Sequence, residues 1–217
     1  MNNKMDAYTT DLETYLSNIL QWAKTYFNEE TFINAKKYFF RHNGKIFDDE
    51  IFYEQRMNFF IDYFLFQTPV VHEDNIALTP YHLYLTKISS PDESFKFVYS
   101  VFKIIHRSDC LLKIVDLINI KKYEIYPKKN QTFIALQKNN IFQGFIYHIK
   151  NKYYLSDGIF FHPSKSQKLI LNLTKKIQSN KNSLTQIFSL LNHLSKAQMT
   201  ILRQPHLSIS KVYEYKL

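Results

Sequence analysis

The stretch HNGKIFDDEIFYEQRMNFFIDYFLF, residues 42–66, decides how the first half of the chain folds. Its apolar residues recur at the three- and four-residue spacing of one helix face, at Met57, Phe60, Ile61 and Phe64. The polar residues Glu54, Asn58 and Asp62 fall on the opposite face at the same spacing. The pattern therefore predicts an amphipathic helix that packs on one side and is solvated on the other.

The carboxylates at the start of this stretch have two interpretations. As an N-cap, Asp48 or Asp49 would accept hydrogen bonds from free backbone N–H groups and meet the positive end of the helix dipole. Alternatively, His42, Asp48, Asp49 and Glu54 are candidate metal ligands, and residues 48–54 would hold the metal of a metal-dependent enzyme. The adjacent Asp48, Asp49 and Glu50 point in different directions on a helix, which favours capping.

Helical signals continue on both sides of this stretch, so residues 1–100 are predicted to form a helical region. An apolar stripe from Leu12 to Phe27 indicates a first helix. The other local signals are a Thr10–Glu13 capping box, a cap at Asn28, a break at Asn43-Gly44, a helix start at Thr79-Pro80 and a second one in SPDE, Ser90 to Glu93.

The periodicity changes to two near Ser100, and residues 101–163 are predicted to form an antiparallel β module. The predicted strands are VFKIIH, LLKIVDLI, KYEIY, TFIALQ, FQGFIYHI, KYYLS and GIFFH, joined by short polar links. Short links favour antiparallel neighbours, because parallel strands need long crossovers. Six or seven such strands can close as a small barrel, which removes exposed edges.

Helical spacing returns in residues 164–217, where two C-terminal helices and a tail are predicted to pack on the β module. Ser183 and Gln186 form a capping box for the second of these helices. The tail HLSISKVYEY has the composition of a further strand. The predicted fold class is therefore α+β, with a helical N-terminal half, a small antiparallel barrel-like module and two C-terminal helices.

Composition narrows the classes of function. The chain has 217 residues, of which 45% are hydrophobic and 17% aromatic, with one cysteine and three glycines. Cys110 lies among apolar residues and is predicted to be a buried thiol. So few glycines exclude a glycine-rich phosphate loop, and we expect no cofactor. Neither a secretory signal nor an apolar run long enough to span a membrane is recognisable, so we expect a cytoplasmic protein.

Charge is distributed unevenly along the chain. Up to Ile105 there are 10 Lys and Arg against 14 Asp and Glu, a balance of −4. From His106 onward there are 18 against 5, a balance of +13. A basic half of this kind indicates an anionic partner, although a lysine-rich face also serves solubility alone.

The candidate nucleic-acid-binding residues combine phosphate-neutralising lysines with rings on which bases stack. They are Lys121, Lys122, Lys128 and Lys129 in predicted loops of the β module, Lys165, Lys168, Lys175 and Lys176 on one helical stripe, and Tyr123 and Tyr154 between basic residues.

The stretch from Asp48 to Phe66 resembles a helix motif of a family of uncharacterised bacterial proteins. That motif, of the type DD-x-x-(F/Y)-E-x-R-M, appears here as DDEIFYEQRMNFFIDYFLF. The family follows the helix with a small β module, whose strands resemble SVFKII and IVDLIN in this chain, without the usual glycine in the turn. The resemblance implies a helical N-terminal half followed by a β module, and it brings no activity or catalytic residues.

Three hypotheses of function follow from the sequence. The first is a non-enzymatic protein whose basic C-terminal half contacts RNA, DNA or a ribonucleoprotein. The second is an adaptor whose acidic helical half binds another protein, which would require a large exposed apolar patch. The third is the metal-dependent enzyme with carboxylates at 48–54. The oligomeric state is left open by the sequence.

Overall fold

The computed structural model describes residues 3–71, 77–87, 95–128, 131–134, 136–179 and 183–215. The N-terminal half is helical, as predicted, and also contains a two-stranded antiparallel hairpin. Its elements are α1 (Asn3–Tyr26), α2 (Glu29–Asn43), α3 (Tyr53–Phe66), β1 (Val70–Val71), β2 (Ala77–Leu78) and α4 (Pro80–Lys87). No helix in the described ranges has the length and apolarity that crossing a membrane requires.

Local capping signals place both ends of α2 and the start of α4. The Asn28 side chain accepts a hydrogen bond from the Thr31 N–H at 2.9 Å and starts α2, and Gly44, with φ of 94°, ends it. Proline at the first position of α4 is also confirmed. The Thr10 prediction is wrong, because α1 already begins at Asn3. The predicted start at 90–93 lies outside the described residues.

A six-stranded sheet forms the second half of the fold, and the α+β class is confirmed. Its strands are β3 (Lys96–Arg107), β4 (Leu112–Asp116), β5 (Lys122–Ile125), β6 (Ile141–Ile149), β7 (Lys152–Leu155) and β8 (Phe160–Phe161). The order is β3-β4-β5-β7-β6-β8, and β6 also pairs along β3. The predicted strand TFIALQ is wrong for its described residues, which are irregular.

The sheet is mixed, whereas the sequence predicted a purely antiparallel one. All its pairings are antiparallel except that of β5 with β7, which meet through the parallel pair Ile125 and Tyr153. The pairings run from β3 through β4, β5, β7 and β6 back to β3. Five strands cannot alternate direction all the way round such a cycle, so one neighbouring pair must be parallel.

Three buried clusters hold the layers together. One lies among the strands themselves and includes Phe102, Ile114 and Phe142. A second packs α1–α4 against the side of β6 that faces away from the first cluster, where the buried Phe145 and Tyr147 lie. A third joins the C-terminal helices to the sheet and to the turn after β4. Alternation along β6 divides its side chains between the clusters, because successive residues face opposite sides.

The C-terminal segment adds three helices in the described residues, not two. A 3₁₀ turn at Ser164–Ser166 leads into α5 (Gln167–Ser179), followed by α6 (Leu184–Arg203) and α7 (Ile209–Val212). The capping box of Ser183 with Gln186 is confirmed. The predicted tail strand is wrong in the described residues, since the tail forms α7 instead.

The central helix α3 is buried on more sides than its pattern predicts. Phe59 has no exposed surface, whereas the predicted core residue Phe60 is only half-buried. Gly158 explains how closely the sheet approaches this helix, because a Cβ there would lie 2.5 Å from the Phe59 nitrogen. Asp62, predicted to be solvated, accepts hydrogen bonds from the hydroxyls of Tyr147 and Ser156.

Candidate nucleic-acid interface

The exposed face of α5 carries most of the predicted lysines. Ile170, Leu173 and Ile177 are buried against the rest of the protein. At 100° per residue, the exposed Lys168, Lys175 and Lys176 lie on the opposite side of the helix. Lys165, exposed in the preceding 3₁₀ turn, continues this set. The predicted stripe is therefore a solvent-facing basic surface, which we call the α5 face (Lys165, Lys168, Lys175 and Lys176).

Lys121 ends the turn that joins β4 to β5, Lys122 begins β5, and that turn is fixed next to α5. The Asp116 carboxylate accepts hydrogen bonds from the Ile118 N–H at 2.8 Å and from the Asn119 side chain at 2.8 Å. Gln178 of α5 donates to the Leu117 carbonyl at 2.7 Å. Both lysines are exposed, so the fold brings a second basic group to the C-terminal end of α5.

The structure removes three predicted residues from this surface. Tyr154 is 2% exposed and Tyr123 is 6% exposed, so neither ring offers a face on which a base can stack. Burial raises the pKa of Tyr123 to about 12. The Lys128 ammonium lies 2.8 Å from the Asp157 carboxylate, and its side chain is largely enclosed. Lys129 lies outside the described residues.

The carboxylates at 48–54 do not assemble into a metal site. No group of three or more His, Cys, Asp or Glu side chains suited to a metal ion occurs within the described ranges. Glu50 forms an ion pair with Arg203 of α6, and the hydrogen bond from that guanidinium lowers the pKa of Glu50. Asp48 and Asp49 are exposed in a turn, and α3 begins after Phe52 without a side-chain cap. The capping interpretation is therefore also wrong.

Cys110 differs from its prediction as well. The thiol is exposed in the link between β3 and β4. Its apolar neighbours in sequence belong to β4, which begins only at Leu112, so they do not enclose it.

A cleft of about 700 Å³ opens between α2, the end of α3 and α6, away from the predicted residues. One wall is a stripe of α6 at three- and four-residue spacing, made of Thr185, Phe188, Ser189, Asn192, His193 and Lys196. The other wall is one face of α2, made of Tyr38, Arg41 and His42. The Tyr63 hydroxyl donates to the Asn192 side-chain oxygen at 3.2 Å and connects α3 to the α6 wall.

The charged and aromatic groups of this cleft are arranged by local contacts. His42 donates from Nδ1 to the Tyr38 carbonyl at 2.8 Å, which leaves its Nε2 as an acceptor in the neutral ring. Burial lowers the pKa of His193, with its hydrogen bond to the Tyr213 backbone opposing that shift. The ring of Tyr215 lies 5.0 Å from that of His193. None of the described residues that line the cleft is Asp or Glu.

A buried arginine fixes α6 against α3 behind this cleft. Arg56 is 1% exposed and donates to the Ser195 hydroxyl at 3.1 Å and to the side-chain oxygen of Gln198. Its guanidinium carbon lies 3.9 Å from the centre of the Phe160 ring. Burial lowers the pKa of Arg56 to about 9, so the group stays charged at neutral pH. The position of the α6 wall therefore depends on this residue.

Comparisons with protein-family models, curated proteins and solved structures returned no match to this chain.

Proposed function

We propose that the protein is a non-enzymatic binding protein that contacts nucleic acid, free or within a ribonucleoprotein, through the α5 face and the adjacent β4–β5 turn. The observation that carries this proposal is the placement of three lysines on one side of α5, opposite its buried side, with the exposed Lys165 in the turn that precedes them. Lysines grouped in this way neutralise successive phosphates and release their condensed counterions.

Acidic side chains of the C-terminal half are largely engaged elsewhere. Asp116 is buried in its turn, Glu124 pairs with Lys113 at 2.8 Å, and Asp157 pairs with Lys128. Glu214 differs from these three, because it lines a cavity together with Lys175 and Lys176. The lysines of the α5 face outnumber this carboxylate, which supports a positive potential that attracts a polyanion.

We further propose that the β module is a small barrel that serves as the rigid support of this surface. The pairings that return from β6 to β3, and the cluster of Phe102, Ile114 and Phe142 among the strands, support closure. A closed sheet offers few free edges, so the contact would use side chains and not strand addition.

The adaptor alternative is less well supported. Large exposed apolar side chains include Ile51, Ile120, Ile134 and Leu184. Ile51, Ile120 and Ile134 belong to three different segments of the chain, and Leu184 lines the cleft beside Phe188. Their exposure alone does not supply the one large contiguous patch that a protein-docking surface requires.

Binding of labelled single-stranded and duplex RNA and DNA, measured by fluorescence anisotropy across a salt series, tests the proposed function. Lys168→Ala with Lys175→Ala should weaken binding and reduce the salt slope by about one unit per lost contact. The matched control is Lys24→Ala with Lys37→Ala, two exposed lysines on α1 and α2. Equal weakening by both pairs would show that only net charge matters and would refute the α5 site.

A further inference from the structure

We propose that the cleft between α2 and α6 binds one nucleotide, an aromatic base carrying a phosphate, and so gives the protein a preference for single-stranded nucleic acid. The inference rests on the proposed nucleic-acid function. Tyr123 and Tyr154 are buried and cannot recognise a base. The cleft offers a different site, on the face of α6 that is opposite its buried face.

The size and the rings of the cleft fit a nucleotide. Its volume of about 700 Å³ is within the range of pockets that hold small organic ligands. Rings reach it from both walls and from the tail, at Tyr38, Phe188 and Tyr215. Phe188 keeps 37% of its surface exposed, so part of its ring is accessible from the cleft. Stacking on a base would cover it.

Two cationic side chains line the cleft and can bind a phosphate. Arg41 of α2 and Lys196 of α6 are both exposed and lie on opposite walls. The guanidinium can hold a phosphate through two parallel hydrogen bonds, and the ammonium adds a point charge. Because the described lining holds no carboxylate, an anion entering the cleft meets attraction from both sides.

Polar groups beside the rings can read the edge of a base. The Asn192 oxygen accepts from Tyr63, so its amide nitrogen is the end that remains to donate. Gln67 at the end of α3 supplies a second amide. Unpaired bases expose their Watson–Crick edges to side chains, whereas pairing covers these edges, which is why the site favours a single strand.

Tyr215 connects this cleft to the α5 face. It also lines a second cavity, of about 420 Å³, together with Lys175, Lys176 and one carboxylate, that of Glu214. A strand whose phosphates follow α5 can therefore continue past Tyr215 and place one base in the cleft. A duplex can meet the lysines of α5 but cannot insert a base without unpairing it.

The test compares three probes on the whole protein: a short labelled oligouridylate, an RNA duplex of the same length, and free uridine monophosphate as competitor. Phe188→Ala should weaken oligouridylate binding about fivefold or more and change duplex binding less than about twofold. Phe47→Ala, at a phenylalanine that is 41% exposed outside the cleft, should change neither. Lys196→Ala, compared with Lys24→Ala, tests the phosphate contact in the same way.

The outcomes separate the two proposals. If Phe188→Ala and Lys196→Ala match their controls while Lys168→Ala with Lys175→Ala weakens binding, the cleft inference fails and the α5 function stands. If Phe188→Ala, Lys196→Ala and the Lys168/Lys175 variant all bind every probe as tightly as their controls do, both proposals fail. Displacement by uridine monophosphate that Phe188→Ala abolishes identifies free nucleotides as the ligand. Strand binding that is sensitive to Phe188→Ala but resists that competitor identifies the strand.

Discussion

The helices α3 and α5 have almost the same length, 14 and 13 residues, but they are used in opposite ways. α5 has one buried face and one solvated face, as an amphipathic pattern predicts. α3 lies between the helical layer and the sheet and buries Phe59, Tyr63 and Phe66 together with the charged Arg56. An amphipathic pattern therefore identifies the buried face only where a helix has neighbours on one side.

The buried polar groups of α3 show why its pattern is misleading. Arg56 donates a hydrogen bond to Ser195, which is 139 residues away in sequence, and Asp62 accepts one from Tyr147, which is 85 residues away. Each group is tolerated in the interior because its hydrogen bonds replace those of water. Partners so distant cannot be inferred from the local spacing of residues.

The largest expected effect tests which face of α3 is the core. Phe59→Ala removes a ring with no exposed surface and should lower the free energy of unfolding by about 3–5 kcal/mol. Phe60→Ala, the core position that the sequence pattern favours, removes a half-buried ring and should cost about 1–2 kcal/mol. Urea unfolding of both variants measures the two values. A larger loss for Phe60→Ala would contradict the orientation of α3 described above.

Sequence reasoning succeeded where the physical cause is local. Asn28, Gly44 and Ser183 end or start helices through contacts within four residues, so their patterns were sufficient. The parallel contact of β5 with β7 was missed because it depends on how five strands meet around the sheet. The assignment of Asp48 and Asp49 as caps failed since the chain forms an additional turn before α3 starts.

A smaller effect, which depends on pH, tests the burial of Asp62. Part of this residue is exposed, but its carboxylate is enclosed, and burial raises its pKa to about 6 despite the opposing hydrogen bond from Ser156. The unfolded chain loses this proton near the ordinary value of 3.8. Native stability from this group is therefore fully present below pH 4 and is lost as the pH rises through 6.

Comparison with Asp62→Asn isolates that contribution, because the amide has no such proton to lose. The unfolding free energy of the wild-type protein minus that of the variant should fall by about 2–3 kcal/mol between pH 4 and pH 7. Thermal or urea unfolding at several pH values measures it. A difference that stays constant over this range would show that Asp62 is solvated, as its place in the helix pattern indicated.

The candidate site was predictable in part. Helical spacing alone places Lys168, Lys175 and Lys176 on one exposed side of α5, whereas Lys165 lies in the turn before the helix. The burial of Tyr123 had a usable signal, since in KYEI the tyrosine alternates with charged residues and shares a side with Ile125. The α6 wall of the cleft also has helical spacing. The α2 wall could not be predicted, because no local sequence pattern indicates that α2 packs next to α6.

The smallest expected effect completes the comparison, at α5. Lys168→Ala with Lys175→Ala changes side chains that are exposed on a helix, and alanine has a helix propensity at least as good as that of lysine. The free energy of unfolding should therefore change by less than about 0.5 kcal/mol per site. Urea unfolding, performed on the same samples as the binding measurements, checks this value. A loss above about 2 kcal/mol would mean that the lysines support the fold, and weakened binding by this variant would then have a structural cause. If stability is unchanged while nucleic-acid affinity falls, one face of α5 serves folding and the other serves binding. Both faces of α3, in contrast, serve folding.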